Sequence, residues 1–210
     1  MFRLITIVFV VISCSVLYAQ EDWILSSDGK DIKTYFREST ESDIKELKII
    51  TSIEAPAILI FELLNDINLY DDWVYRTSEA KLVQNYNKRS LQYYAVVDFP
   101  WPFDDREMYI QSNYTISPDQ KSISTYSMAI PRQDIESREN HVRITDMVLG
   151  WNLVEDEEGT THITYVLRSD PGGSIPAWMV NLALEAGPTQ TINNLRDLVY
   201  NHLETETVAK

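Results

Sequence analysis

Period-two alternation of apolar and polar residues dominates the chain from about residue 80 to residue 169. The alternating segments follow one another with short turns between them, at 91–99, 108–116, 122–130, 141–149 and 161–169. Such alternation is typical of strands with one buried face, and short turns join antiparallel neighbours. The sequence therefore predicts a long antiparallel meander, which commits nearly half of the 210 residues to one sheet.

Shorter elements precede this meander. Two strands are predicted at 32–36 and 45–53, after a turn at Asp28-Gly29. The spacing then becomes helical, and a helix is expected to begin at Ala55-Pro56, because proline suits the first turn of a helix. A short second helix is expected over residues 70–74.

One long helix is predicted after the meander. Residues 170–176 are dense in turn formers, and Pro176 fits a first helical turn. The helix is expected to run to about Leu203. Because Pro188 cannot donate a hydrogen bond to the Leu184 carbonyl, a kink or break is expected there.

The order of these elements indicates an α+β fold. A curved antiparallel sheet grips a long C-terminal helix, with a two-helix insertion after the first strands. No repeat and no Gly/Ser-rich linker divides residues 20–210, so a single domain is expected. A chain of this size buries about 70% of its unfolded surface, enough for one substantial core.

The first 19 residues are interpreted as a secretory signal peptide. A short positive start is followed by an almost entirely apolar run from Leu4 to Leu17, and cleavage is expected after Ala19. The expected location is therefore the periplasm or the cell exterior. Two alternatives stay open: a membrane anchor, for which the run is short, and a lipoprotein lipidated at Cys14, the single cysteine.

The chain is strongly acidic, with 18 Lys and Arg against 32 Asp and Glu and a formal net charge of −14. Such a charge repels nucleic acid and disfavours electrostatic adhesion to anionic lipid. Brief apolar contact with a bilayer stays open. Self-repulsion between acidic chains also favours a monomer.

The sequence contains no motif for metal, phosphate or nucleophilic chemistry. His141, His162 and His202 lie too far apart for a zinc motif, and the acidic run 155–158 lacks the spacing of a calcium loop. A Gly-rich phosphate loop and a nucleophile elbow are also missing. We therefore expect no metal, no cofactor and no catalytic residue.

Four segments stand out as motifs. The first is Asp28-Gly29 before residues 32–35, and the second is Ala55-Pro56 followed by Phe61, Tyr70 and Trp73. The third is the stretch Pro-Trp-Pro-Phe-Asp-Asp-Arg-Glu at 100–107. The fourth is the stretch Asp-Pro-Gly-Gly-Ser-Ile-Pro-Ala-Trp at 170–178. In this order they cover about residues 22–203. They resemble the START domain, the lipid-transfer domain related to the steroidogenic acute regulatory protein, in its small secreted bacterial form.

The resemblance implies a helix-grip fold with an internal hydrophobic tunnel and no metal or cofactor. It implies non-enzymatic carriage of one lipid or other hydrophobic molecule, with the C-terminal helix as a lid. The candidate tunnel-lining residues are Tyr93, Ala95, Ile110, Ser112, Tyr126, Met128, Trp178 and Met179. Tyr126 and Met128 share one strand face, and which face points inward is left open. For Trp178 and Met179, core packing and contact with ligand or membrane both stay open.

Two of these positions depart from sterol-carrying relatives, whose tunnel holds a basic and an acidic side chain on adjacent strands. Here Ser112 and Tyr93 correspond to them. A hydroxyl and a phenol cost less to bury than charges. Both side chains are predicted to face inward, and sterol transport is not expected.

The motif residues Trp101, Asp105 and Arg106 are given a structural role. The favoured interpretation is an ion pair between Asp105 and Arg106 that fixes the Trp101 loop to the sheet, and the alternative is headgroup binding by Arg106.

Two functions compete with the leading hypothesis of a lipid carrier. One is an enzyme similar to polyketide cyclases or aromatases, which would use Tyr93, Ser112 and Arg106. The other is an envelope interaction protein whose pocket is vestigial.

Overall fold

The computed structural model describes residues 23–87 and 89–208. The segment interpreted as a signal peptide, with Ala19 and Cys14, lies outside these residues. Within the described ranges, no helix combines the length and the apolar character needed to cross a membrane.

A ten-stranded sheet forms the body of the molecule. Its strands are β1 (Ile24–Asp28), β2 (Ile32–Arg37), β3 (Glu46–Ile53), β4 (Thr77–Asn87), β5 (Ser90–Val97), β6 (Asp105–Ile116), β7 (Ser122–Ile130), β8 (His141–Arg143), β9 (Asp146–Glu155) and β10 (Thr161–Asp170). Nine strands lie side by side in the order β1-β2-β3-β10-β9-β7-β6-β5-β4, and their pairings are antiparallel. The short β8 pairs in parallel with the start of β6. The predicted antiparallel meander is confirmed.

Strand β3 shows how the alternation assigns the two faces. Leu47, Ile49 and Ile53 are buried, whereas Ile50 between them is exposed. Ile49 lies directly opposite Tyr165 of β10. Directly paired residues share a face of the sheet, so the buried positions of both strands form one inner surface.

The helices cover this inner surface. They are α1 (Ala57–Asn65), a single 3-10 turn (Ile67–Leu69), α2 (Tyr70–Trp73), α3 (Ala177–Ala183) and α4 (Ala186–Val208). Ile192, Leu195 and Val199 recur along one face of α4 and are fully buried in the same cluster as the inner residues of β3. The predicted helix-grip architecture, with its helical insertion after the first strands, is confirmed.

The C-terminal helix is divided where the sequence predicts a break. α3 ends at Ala183 and α4 begins at Ala186, so Pro188 lies in the first turn of α4. An N–H at that position has no partner within the helix, and its loss in proline is therefore tolerated. The Thr189 N–H donates to the Glu185 carbonyl at 3.1 Å and starts the regular pattern.

Two parts of the sheet differ from the sequence prediction. The alternation does not predict β1, because most of its residues are exposed at the edge of the sheet. Residues 141–149 do not form one strand, since β8 ends at Arg143 and β9 begins at Asp146. Arg143 donates to the buried Glu107 carboxylate of β6 at 3.0 Å, and this contact holds β8 beside β6.

Candidate functional site

A cavity of about 560 Å³ lies between the inner face of the sheet and the helices. Inward-facing residues of β5, β6, β9 and β10 form one wall, namely Tyr93, Ala95, Met108, Ile110, Leu149 and Leu167. Residues of α2, α3 and the first turn of α4 form the other. The volume lies within the range of about 300–1,000 Å³ found for small-molecule sites. An apolar ligand in this space removes apolar surface from water, which favours its binding.

The cavity has an inner end and a mouth. Along β5, Tyr93, Ala95 and Val97 face it in turn, and the lining continues to Phe99. Two charged residues, Arg76 and Asp98, also line it, and both are exposed to solvent. The mouth is therefore at the Phe99 end, and Tyr93 lies deepest.

Phenol groups cluster at the inner end. The ring of Tyr70 stands edge-on to that of Tyr93, with centroids 5.4 Å apart. The Tyr70 hydroxyl donates to the Leu64 carbonyl at 2.7 Å. The ring of Tyr165 packs edge-on against Trp151 at 4.7 Å. The otherwise apolar cavity thus has a polar point at its closed end.

These phenols are neutral around pH 7. Burial raises the pKa of Tyr93 and, together with the adjacent Tyr93, raises the pKa of Tyr70. Burial also raises the pKa of Tyr165, with a smaller effect from Tyr93. A neutral phenol donates one hydrogen bond and accepts others. The inner end can therefore hydrogen-bond a ligand but supplies neither a charge nor a general base.

Large apolar side chains are exposed beside the mouth. Trp178 and Leu182 are 66% and 81% exposed, and their spacing of four places them on one face of α3. The neighbouring Met179 of the same helix lines the cavity. Trp101 is 92% exposed in the loop whose Pro100 borders the cavity. We call Trp101, Trp178 and Leu182 the mouth patch.

Arg106 holds together the two loops that border the mouth. Its side chain is fully buried, and it donates through Nε to the Pro171 carbonyl at 2.7 Å and through Nη2 to the Gly172 carbonyl at 3.1 Å. It also donates to the Asp104 carbonyl, and its guanidinium carbon lies 4.4 Å from the centroid of the Phe99 ring. The predicted structural role agrees with this geometry, and Arg106 does not line the cavity.

The expected ion pair between Asp105 and Arg106 is wrong. Asp105 instead accepts a hydrogen bond from the Phe99 N–H at 2.9 Å, which fixes the start of the Trp101 loop. Arg106 uses backbone carbonyls of the loop at 171–172. Gly173 beside it has φ +70°, and an added Cβ would lie 3.3 Å from Arg106 Nη2. Glycine is therefore needed for this close approach.

A second buried charge, Glu107, stabilises the outer face of the sheet through hydrogen bonds. It accepts hydrogen bonds from Tyr94 at 2.8 Å and from Arg143. Burial raises the pKa of Glu107, but these hydrogen bonds and the Arg143 guanidinium outweigh burial and hold that pKa below its usual range. Arg143 also donates to the Arg132 and Ile135 carbonyls, each at 2.7 Å. This network fixes residues 131–143 and lies outside the cavity.

The structure brings four of the eight candidate ligand-binding residues to the cavity. They are Tyr93, Ala95, Ile110 and Met179. Ser112 lies on the inner side but lines a small neighbouring pocket of about 30 Å³. There its hydroxyl accepts a hydrogen bond from Ser127 at 2.9 Å.

Three candidate positions do not line the cavity. Tyr126 and Met128 are 48% and 39% exposed, whereas Ser127 between them is buried. Alternation along β7 therefore puts Tyr126 and Met128 on the outer face. Trp178 lies on the exposed face of α3, because it is Met179 that turns toward the cavity.

Sequence reasoning missed several lining residues, above all Tyr70, Trp151 and Tyr165. Trp151 and Tyr165 are directly paired across β9 and β10. Tyr165 alternates in phase with Ile163 and Leu167 along residues 161–169, so the sequence pattern places its side chain on the same face of the strand as theirs. Tyr70 was named only as part of the helical motif, because a helix of four residues is too short for a periodicity that shows which side chain faces inward.

A helix-grip sheet around one apolar cavity defines a class of binding domain for hydrophobic ligands. The family model of the START domain matches residues 14–205, and this chain belongs to that family.

Relatives agree with this assignment over most of the chain. An uncharacterised protein of Pseudomonas aeruginosa is 28% identical over 176 residues, which is 84% of this chain and 86% of the relative. The mouse phosphatidylcholine transfer protein is 22% identical over 182 residues, or 85% of this chain and 82% of that protein.

Solved structures show the same fold. A STAR-related lipid transfer protein from Xanthomonas axonopodis superposes with a TM-score of 0.77 at 27% identity, over 85% of this chain and 98% of that one. An aromatase/cyclase from a Streptomyces species superposes with a TM-score of 0.52 at 14% identity, over 75% and 94%. At that identity the likeness concerns the fold alone.

Proposed function

We propose that this protein binds one lipid or other hydrophobic molecule in the cavity and carries it without chemical change. The proposal rests on the chemical character of the residues that line the cavity. The interior of the cavity is apolar apart from neutral hydroxyl and indole N–H groups, and its charged residues, Arg76 and Asp98, are at the mouth. Such a space favours apolar ligands and excludes charged ones from its depth. The names of the mouse and Xanthomonas relatives point to the same kind of ligand.

The two competing functions receive less support. Among the described residues, the lining contains no His, Cys or Lys, and the pKa values of the lining residues Tyr70, Tyr93 and Tyr165 are raised. A general base with a pKa near the working pH is therefore missing from the wall. An envelope protein with a vestigial pocket is disfavoured by the size of the unfilled space, about 560 Å³.

The carrier is expected to act as an exported monomer. The signal peptide predicted at residues 1–19 supports export to the periplasm or the cell exterior, and a lipoprotein at Cys14 is the alternative. The net charge of −14 supports a monomer through self-repulsion.

Native mass spectrometry tests the carrier function and the export signal together. The protein is expressed with residues 1–19 in its own host and purified without detergent. We expect a one-to-one adduct that lipid extraction assigns to one lipid class, on a polypeptide mass that corresponds to cleavage after Ala19. A bare polypeptide that stays bare after incubation with total host lipid would refute carriage. A mass that begins at a lipidated Cys14 would replace cleavage after Ala19 by the lipoprotein form.

We further propose that the mouth patch touches a membrane surface during loading and release. Tryptophan is enriched at membrane interfaces, and the patch borders the opening through which a ligand must pass. The acidic chain offers little attraction to anionic lipid. Apolar burial of Trp101, Trp178 and Leu182 therefore supplies the contact.

Replacing the mouth patch is expected to slow lipid exchange with membranes. In the triple variant Trp101→Ser, Trp178→Ser, Leu182→Ser, the rate of transfer of a fluorescent lipid between phosphatidylcholine vesicles should fall at least about tenfold, because about 1.4 kcal/mol of interfacial binding suffices for that change. The affinity for the same lipid delivered from cyclodextrin should stay within about twofold.

A matched control removes exposed apolar side chains far from the mouth. The variant Leu82→Ser, Tyr126→Ser changes β4 and the outer face of β7, where both residues are about half exposed. Its transfer rate should equal that of the parent. Equal slowing in both variants would contradict a specific role of the mouth patch.

A further inference from the structure

The small pocket beside Ser112 lies beyond the inner end of the cavity, and the two spaces share a wall. The pocket has a volume of about 30 Å³, against about 560 Å³ for the cavity. Along β5, Ala95 lines the cavity, Leu91 lines the small pocket, and Tyr93 between them lines both. Inward-facing residues follow one another at every second position of a strand. The two spaces therefore lie end to end along β5, with Tyr93 at their boundary.

The wall between the two spaces consists mainly of aromatic rings. Tyr70 and Trp151, like Tyr93, line both spaces. The Tyr70 ring stands edge-on to the rings of Tyr93 and Trp73, with centroids 5.4 Å apart in each pair. Its hydroxyl donates to the Leu64 carbonyl at 2.7 Å and fixes the position of the ring. Edge-to-face contacts between rings are favourable, so a ligand that passed the wall would have to break them.

The small pocket beyond the wall carries hydroxyl groups and is unsuited to hydrocarbon. The Ser127 hydroxyl donates to the Ser112 hydroxyl at 2.9 Å, and the Thr125 hydroxyl accepts from the Trp151 N–H at 3.3 Å. A space of about 30 Å³ has room for about one or two water molecules. A hydrocarbon end that entered would replace water beside these hydroxyl groups, which is unfavourable.

We infer that the aromatic wall sets the maximum length of the ligand and that Tyr93 is the residue that determines it. The end of the ligand that enters first stops against the rings of Tyr70 and Tyr93, and the other end stays toward the mouth. Replacing the Tyr93 ring by a small side chain would join the two spaces and lengthen the cavity. This inference rests on the proposed carrier function, and it adds a feature by which the cavity selects among ligands of one chemical kind.

A homologous series of probes measures the maximum length. Saturated 1-alkanols from octanol to eicosanol are delivered from cyclodextrin, and binding is followed by the fluorescence of Trp73 and Trp151, which line the cavity. Burial of each further methylene group raises affinity about fourfold. In the parent, affinity should rise with chain length up to a limit and then stop rising. Comparing each variant with the parent at each length removes the contribution of cyclodextrin.

Tyr93→Val is expected to move this limit to longer chains by at least about two methylene groups. For alkanols just beyond the parental limit, the variant should bind at least about tenfold more tightly than the parent. Valine is chosen because a β-branched side chain suits a strand. If Tyr93→Val folds poorly, Tyr93→Leu takes its place and should shift the limit in the same direction.

Three further variants locate the effect in the ring of Tyr93. Tyr93→Phe keeps the ring and should keep the parental limit, which separates the ring from its hydroxyl. Tyr126→Val makes the same substitution on the exposed outer face of β7 and should also keep the parental limit. In the double variant Tyr93→Val, Ser112→Leu, the leucine side chain refills the small pocket and should return the limit toward that of the parent.

The outcomes separate the inference from the function beneath it. A parent without a limit in the series, an unchanged limit in Tyr93→Val and Tyr93→Leu, or an equal shift in Tyr93→Phe or Tyr126→Val would overturn the inference and leave the carrier function standing. If no alkanol binds to the parent, the inference is also wrong. The native mass spectrum then decides the carrier function separately, since a polypeptide that stays bare with total host lipid refutes carriage.

Discussion

Replacing Arg106 by methionine is expected to lower the free energy of unfolding by about 3 kcal/mol or more. The substitution removes the donors for the Asp104, Pro171 and Gly172 carbonyls, and an unsatisfied buried acceptor costs about 1–3 kcal/mol. Urea denaturation followed by far-UV circular dichroism measures the change. The loss should be accompanied by weaker ligand binding, because the carbonyls at 171–172 belong to a loop that borders the mouth.

Surface and conservative substitutions separate this effect from a general loss of charge. Arg132→Met removes an exposed ion pair with Asp134, and such pairs contribute about 0–1 kcal/mol. Arg106→Lys keeps the charge but has no planar fork to reach two loops, so its stability should lie between that of the parent and that of Arg106→Met. If Arg106→Met unfolds at the same urea concentration as Arg132→Met, the assigned role of Arg106 is wrong.

Filling the cavity is expected to abolish binding without unfolding the protein. In Ala95→Trp, the indole replaces a methyl group that faces the cavity from the middle of β5, between Tyr93 and Val97. Because the ring enters unfilled space, the overpacking cost of about 1–3 kcal/mol seen in tight cores should not arise. Affinity for a fluorescent fatty alcohol should fall at least about tenfold, while the free energy of unfolding should change by less than about 1 kcal/mol.

Ser124→Trp provides the matched control, since Ser124 is exposed on the outer face of β7. It adds the same side chain to the same sheet and should leave affinity unchanged. Two results would count against the assigned cavity: parental affinity in Ala95→Trp, or a comparable loss of affinity in Ser124→Trp.

The main features of the fold follow directly from local sequence. Alternation in residues 91–99 and 108–116 corresponds to β5 and β6, because each strand has one face in the core. Pro188 marks the division between α3 and α4, because proline is acceptable in a first turn and unfavourable further along a helix. These are effects of period and backbone chemistry, which act over a few residues.

Local sequence patterns predicted only part of the candidate site. Period two shows that Tyr126 and Met128 share a face of β7, but it does not say which face points inward. That choice depends on the buried Ser127, which hydrogen-bonds to Ser112 on β6. In the same way, the Asp-Arg sequence at 105–106 marks an anchor, while two of the three acceptors of Arg106, the Pro171 and Gly172 carbonyls, lie some 65 residues away.

The sequence alone determined the class of this protein: an antiparallel sheet around a C-terminal helix, with the motifs of the START family. Only the tertiary structure decided which hydroxyls meet at the inner end of the cavity. Tyr70, Tyr93 and Tyr165 come from α2, β5 and β10, elements separated by long stretches of chain. These three phenols come together through packing between distant elements, which leaves no local pattern in the sequence.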